Sequence, residues 1–175
     1  MHPILVFLMS FLIWPANADA AKARWPGPFP VEVLSARDGD TVEVRFVDGP
    51  CGRAPCPGQE TLVRILGIDA PEVHRCGQSR AGQRASGGQS CASCDAEWQL
   101  GKQALAELER LLKGRAARVG QISPDKYAGR VLGALEVFAD GGWRSAADHL
   151  RQKGLAVSYD GGRKTKPWCR AEARR

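Results

Sequence analysis

Five charged residues stand where their local sequence gives them no obvious structural duty: Asp40, Arg64, Asp69, Glu72 and Arg130. Asp40 follows the turn dipeptide Asp38-Gly39, where the chain enters "TVEVRF" and aspartate disfavours a strand. Arg64 interrupts the apolar run of "VRILGIDAPE" and needs an anion if that run is buried. Asp69 and Glu72 lie at the exit of the same run, where Pro71 ends any β-ladder. Arg130 opens "RVLGALEVF" after the tight "DKYAG" segment. Acids of this kind supply hard oxygens for a cation such as calcium. Two arginines can hold the oxygens of one phosphate, each through a bidentate fork. A carboxylate not spent on a metal can take a proton from water. Together these are the parts needed to attack a phosphodiester. The same acids and arginines could equally pair with one another as salt bridges on a barrel rim, and spacing alone leaves that choice open.

Such a set needs strands that end close together. Residues 31–36 and 41–47 flank Asp38-Gly39 and read as a hairpin, with Val42, Val44 and Phe46 alternating onto one face. Residues 60–68 read as a third strand, apolar on both faces, with Arg64 sharing a face with Leu62, Leu66 and Ile68. Residues 115–122 and 131–138 supply two more strands. The clearest helix spans 95–114, with Asp95 as its cap, Gly114 as its stop, and an inward stripe of Trp98, Gly101, Leu105, Leu108 and Leu112. A second helix is expected over 143–154, after the Asp140-Gly141 turn. There are no repeats. Five short strands, with the long helix between the third and fourth, predict an α+β chain: a five-stranded Greek-key barrel of the OB-fold type, whose open face often binds nucleic acids.

The 175 residues suffice for one domain with a real core. Ile4 to Trp14 is an apolar run ending at Pro15 and followed by "ANADAA", the pattern of a signal peptide cleaved after Ala20. It is too short to span a bilayer, which takes about 20 residues. The expectation is therefore export to a periplasm or beyond the cell, with no membrane attachment once residues 1–20 are removed. A Pro-rich lead-in (21–30), a barrel domain (31–160) with a cysteine-bearing insert (73–94), and a basic tail (161–175) complete the organisation. All six cysteines lie in the exported part, where an even count suggests disulfides. Cys51 and Cys56 could close one short loop, and Cys91 or Cys94 is expected to be bridged outside the insert. Cys91-x-x-Cys94 as half a zinc site lacks a second half beyond a loose Cys51/Cys56 pair and His74. The net charge of +6 becomes +7 when the signal leaves with Asp19, its only charged side chain. A basic chain favours polyanions, though that is weak evidence taken alone.

"DGDTVEV", "VRILGIDAPE", "DKYAGRVLGAL" and "HLRQKGLAVSY", in that order, resemble the staphylococcal nuclease (thermonuclease-like) family over residues 31–159. The resemblance implies an OB-fold barrel with three helices that hydrolyses DNA and RNA using calcium and leaves 3′-phosphate ends. By motif, Asp40 and Asp69 resemble the calcium carboxylates. Ala70 stands where the type member has a threonine that ligates through its backbone carbonyl. Glu72 resembles the general base, and Arg64 and Arg130 the two phosphate-clamping arginines. Lys126, Tyr127 and Tyr159 lie where the family contacts nucleotide phosphate and base. Three features depart from the pattern: Ala128 is an extra residue before Arg130, the insert follows Glu72 directly, and the type member lacks cysteines. The expectation is a monomeric, exported, calcium-dependent nuclease. The alternative is a non-catalytic OB-fold module that only binds nucleic acid, against which stands the presence of all five charged residues.

Overall fold

The computed structural model describes residues 25–49, 51, 55–75, 91–127, 129–162, 164–165 and 167–169. The expected signal segment, the start of the lead-in, Cys76, most of the insert, and Ala128 lie outside the described residues.

The alternating run around Val42 forms β2 (Thr41–Phe46), which pairs antiparallel with β1 (Phe29–Ala36), Val31 opposite Phe46 and Ala36 opposite Val42. Asp40 is the last residue of the connecting turn rather than the first of the strand. The Asp38 carboxylate accepts its backbone N–H at 2.9 Å, and Arg37 N–H closes the loop onto the Thr41 carbonyl at 2.8 Å. This side-chain-to-backbone bond is what makes aspartate a turn residue.

β3 (Glu60–Ile65) pairs with β2, Thr41 opposite Arg64. The expected single strand over 60–68 is in fact two. The chain turns at Leu66-Gly67, where Gly67 has φ 83°, and resumes as β4 (Ile68–Asp69). Leu66 and Ile68 therefore do not continue the face of Arg64. The apolar residues continue through Ile65, Leu66 and Ile68, so hydropathy gave no sign of the turn.

After β4 the chain forms α1 (Asp95–Leu112), β5 (Ala117–Pro124), β6 (Arg130–Ala139), β7 (Gly142–Ser145), α2 (Ala146–Gln152) and β8 (Val157–Ser158). The sheet order is β3-β2-β1-β5-β6-β7, and a parallel β3–β6 pairing closes the first five into a barrel, which abolishes its edges. Inward residues of every barrel strand, among them Val44, Phe46, Val63, Val119 and Leu135, form the core. β4 pairs with β8 as a small separate ribbon. The fold is a five-stranded closed barrel of the OB-like α+β type, as expected.

Four details differ from expectation. The start of the second expected helix is β7: Asp140 and Gly141, both at positive φ, turn Trp143 back onto Phe138, and α2 begins only where Ser145 caps it by accepting the Asp148 N–H. The cap of α1 is Cys94, not Asp95, and Gly114 ends the helix at positive φ. The inward stripe of α1 is Gly101, Ala104, Leu108, Leu111 and Leu112, with buried Glu97 at its start, while Trp98 and Leu105 are half-buried. The Trp98 ring instead receives two cations, Arg75 at 4.0 Å and Lys102 at 3.6 Å from its centre. Finally, the described residues hold two α-helices and one 3-10 turn (Pro167–Cys169), against three helices implied by the resemblance.

Cys51–Cys56 and Cys94–Cys169 are disulfides, and Cys91 is disulfide-bonded as well. Cys94 is thus bridged outside the insert, and the cysteines that a zinc half-site would need are already spent. The Cys94–Cys169 bond draws part of the basic C-terminal stretch back onto the N-terminus of α1.

Candidate active site

Asp40, Arg64 and Asp69 meet on one side of the barrel because three elements end there: the β1–β2 turn, the last residues of β3, and β4. The turn approaches closely because position 39 is glycine. A Cβ there would lie 2.6 Å from the Ala104 Cβ and 2.8 Å from the Ala70 Cβ. With the turn seated, Arg64 Nη1 donates to Asp40 Oδ1 at 2.8 Å and Nη2 donates to Asp69 Oδ1 at 2.9 Å. The Ala70 N–H donates to Asp40 Oδ2 at 3.0 Å, and the Thr41 hydroxyl donates to Oδ1 at 3.1 Å. Both acids are only 3% exposed. Burial pushes Asp40 up to about 7, helped by the Asp38 and Asp69 charges and opposed by Arg64 and the Ala70 N–H. Burial also works against the Arg64 charge, but Asp40 and Asp69 outweigh it and hold the guanidinium above its ordinary value. The salt-bridge expectation thus holds for Arg64, which stands between two buried carboxylates that would otherwise repel each other.

Glu72 sits just outside this group. Its backbone is pressed against α1 at Gly101, where a Cβ would lie 2.4 Å from the Glu72 carbonyl oxygen and 2.9 Å from that of Pro71. The glycine in the helical stripe is therefore a seat for the segment carrying Glu72. Its carboxylate accepts from Lys164 Nζ at 3.2 Å, and the same ammonium is 2.7 Å from Asp69 Oδ1. Asp69 and then Glu72 raise Lys164 above its usual value despite the cost of burial. Lys164 was hidden in the sequence, inside a stretch that read as a basic tail. Cys169 was the available signal, since a cysteine that late must fold back to find a partner.

Arg130 lies on the same outer face as Arg64: in the parallel β3–β6 pairing, Leu62 is opposite Arg130 and Arg64 is opposite Leu132. Its side chain, however, is turned to Asp125, with Nε 2.5 Å from Oδ2, and its guanidinium stands 5.1 Å from the Tyr127 ring centre. Lys126 and Tyr127 are exposed beside it on the β5–β6 connection, Nζ 5.4 Å from the ring centre. Tyr159 follows β8. Its hydroxyl donates to the Gly162 carbonyl at 2.9 Å, and its ring lies 5.8 Å from the Arg64 guanidinium. The structure therefore gathers Asp40, Arg64, Asp69, Ala70, Glu72 and Tyr159, and leaves Arg130, at the start of β6, with Lys126 and Tyr127 of the preceding connection as a second group.

Two cavities adjoin these residues. One of about 150 Å³ is lined by Arg64, Leu66, Gln121, Leu132 and Tyr159. A larger one of about 680 Å³ reaches Asp69, Ser145, Asp148 and Arg151, and shares Leu66, Gln121 and Tyr159 with the first. Gln121 can face both because it sits at a bulge in β5 with φ 53°.

The expected metal donors, Asp40, Asp69 and the carbonyl of Ala70, offer oxygen alone, the donor type that suits calcium, and the Lys164 ammonium lies against Asp69 and Glu72. The carboxylate oxygens of Asp40, Asp69 and Glu72 do not all lie within 4.8 Å of one another. Among the described residues, the three-donor set within 4.8 Å is Cys94, Glu97 and Cys169, where the two sulfurs are bonded to each other.

A search of curated proteins finds no match. The family model described as "Staphylococcal nuclease homologue" matches residues 62–172, more than half of the chain, and takes in Arg64, Asp69, Glu72, Arg130 and Lys164. That match, falling on a closed five-stranded barrel with two helices, establishes that the chain belongs to the staphylococcal nuclease homologue family.

Proposed function

We propose that this chain is an exported, calcium-dependent nuclease that hydrolyses phosphodiester bonds of DNA and RNA and leaves 3′-phosphate ends. One observation carries the reading: two buried carboxylates, Asp40 and Asp69, converge on one arginine, with a third, Glu72, beside them across a single ammonium. A structural ion pair has no need of the third acid.

Asp40, Asp69 and the carbonyl of Ala70 would hold calcium, which supplies positive charge against the oxygens of the scissile phosphate when bound. Arg64, with Nη1 and Nη2 held by the two acids, keeps them together and contributes its positive charge beside the same phosphate. Glu72 orients water and takes its proton. Arg130 swings from Asp125 towards the phosphate. Its register places it two residues along from the Arg64 row, about 6–7 Å at strand spacing, within reach of a long side chain. Tyr159 walls both cavities and offers a ring on which a base can stack. Lys126 and Tyr127 contact the strand further along. The disulfides fit an oxidising compartment, in keeping with export. No helix among the described residues is long and apolar enough to cross a membrane.

The test is digestion of end-labelled DNA and RNA oligonucleotides by the mature protein at rising calcium, with a chelator control. Calcium-dependent cleavage with 3′-phosphate products is expected. Binding without cleavage at any calcium concentration would replace this reading with that of a non-catalytic nucleic-acid module.

A further inference from the structure

We propose that Lys164 is a built-in competitor for the metal, an ammonium carried in on the C-terminal segment that occupies Asp69 and must leave it before a divalent cation can bind. This rests on the metal reading above and adds a residue that the family motifs do not contain.

The contact is specific. Lys164 Nζ is 2.7 Å from Asp69 Oδ1 and 3.2 Å from Glu72 Oε1, so it bridges a candidate ligand and the candidate base. The same Asp69 oxygen already takes Arg64 Nη2 at 2.9 Å. One carboxylate oxygen thus serves two cations, and a divalent ion arriving at that oxygen meets strong repulsion from both. Arg64 cannot leave cheaply, because its departure would take the cation from Asp40, which is 3% exposed. Lys164 can. It is a point charge on a flexible four-carbon stem, and its side chain is 28% exposed, against 11% for Arg64. Of the two cations, the lysine is the one that yields.

Its placement is also built rather than incidental. Lys164 is 92 residues from Glu72 in sequence. It is delivered by a segment fastened on both sides. Before it, the Tyr159 hydroxyl bonds the Gly162 carbonyl and the Gly162 N–H bonds Asp160. After it, Cys169 is disulfide-bonded to Cys94 at the cap of α1, the helix whose Gly101 seats Glu72.

The experiment is calorimetric titration of the mature, disulfide-intact protein with calcium chloride alone, for wild type, Lys164→Gln and Lys164→Arg. Lys164→Gln is expected to bind calcium about tenfold or more tightly than wild type, given unit charges this close at a protein surface. Lys164→Arg, which restores the charge, is expected to return to within about twofold of wild type. In parallel, an amine-reactive label mapped by mass spectrometry on wild type is expected to modify Lys164 faster with calcium present. Equal or weaker calcium binding by Lys164→Gln, or slower labelling of Lys164 with calcium, overturns the competitor role while leaving the metal site standing. Absence of calcium binding in all three proteins removes the metal reading and this proposal together.

Discussion

Two halves of the candidate site are held in different ways. Asp40, Arg64 and Asp69 are fixed by the barrel: register sets Thr41 beside Arg64 and Asp69 beside Val157, and a glycine lets the turn close over them. Glu72 and Lys164 are fixed by loops, a helix contact and a distant disulfide, and Arg130 stands at the very start of β6, its side chain turned to the β5–β6 connection. The first group is deeply buried, and its acids and arginine bond one another. The second is more exposed, and two of its cations are parked on acids that substrate or metal would take over or replace. A barrel can hold charge at fixed geometry only by satisfying it internally. Groups that must change partners during a reaction are better placed on the less rigid rim.

The largest effect expected from this division is on stability. Arg64→Ala takes the cation from buried Asp40 and leaves Asp69 to Lys164 alone, and should cost about 3–5 kcal/mol, as breaking one side of a buried pair does. Lys164→Gln, whose side chain is more exposed and whose loss leaves Asp69 still paired with Arg64, should cost well under half of that. Urea unfolding of both variants checks this, and equal losses would erase the distinction between the halves.

Glu72→Gln should show the reverse profile. Its cleavage rate should fall about 100- to 10,000-fold, as for loss of a general base, while the urea midpoint barely moves and an uncleavable oligonucleotide still binds with calcium. If rate survives, Glu72 is not the proton acceptor. If binding goes with the rate, Glu72 is a metal ligand and the acids exchange roles.

Calcium should stabilise the folded protein by about 2.7 kcal/mol at a hundredfold excess over its dissociation constant, and Asp40→Asn should abolish the shift. The same residue sets a pH dependence. Its carboxyl is raised from the ordinary value of 3.8 to about 7 in the fold, so the folded state favours the protonated form. Metal-free protein should therefore lose stability as pH rises from about 4 to about 7 and then level off. Asp40→Asn should flatten this slope, and so should saturating calcium. Thermal midpoints across that range, with calcium and with chelator, decide it.

One further effect joins the halves. Gly101→Ala puts a methyl against the Pro71 and Glu72 carbonyls, and overpacking of this kind typically costs about 1–3 kcal/mol. Because the strain falls on the Glu72 segment, cleavage should slow by more than the change in stability explains, while calcium binding by Asp40 and Asp69 stays within about twofold. A loss of calcium affinity equal to the loss of rate would mean that the two halves move as one body.

Much of this was legible in the chain alone. Asp40 and Arg64 stood out because each broke a local pattern, an acid at a strand entry and a cation in an apolar run. The Asp38-Gly39 and Asp140-Gly141 turns, the Gly114 helix stop and the Cys51–Cys56 loop were readable because turn and cap chemistry acts within a few residues. What remained hidden was of two kinds. Leu66-Gly67 broke a strand without breaking its apolar pattern, and the α1 stripe turned slightly so that Ala104 and Leu111 went in where Leu105 had been expected. Hydropathy alone does not say how a helix rotates against its neighbour.

The sequence by itself determined the identities and local settings of the reactive groups, because charge in an apolar run and acids at strand ends follow from short-range chemistry. Only the tertiary structure decided their partners. The parallel β3–β6 seam that puts Arg130 on the face of Arg64, the turn of Arg130 onto Asp125, and the arrival of Lys164 at Asp69 all depend on how the chain closes on itself. Lys164 reaches Glu72 across 92 residues, and Cys94 reaches Cys169 across 75. No periodicity or spacing encodes contacts at such separations, because they are chosen by the packing of the whole barrel rather than by any stretch within it.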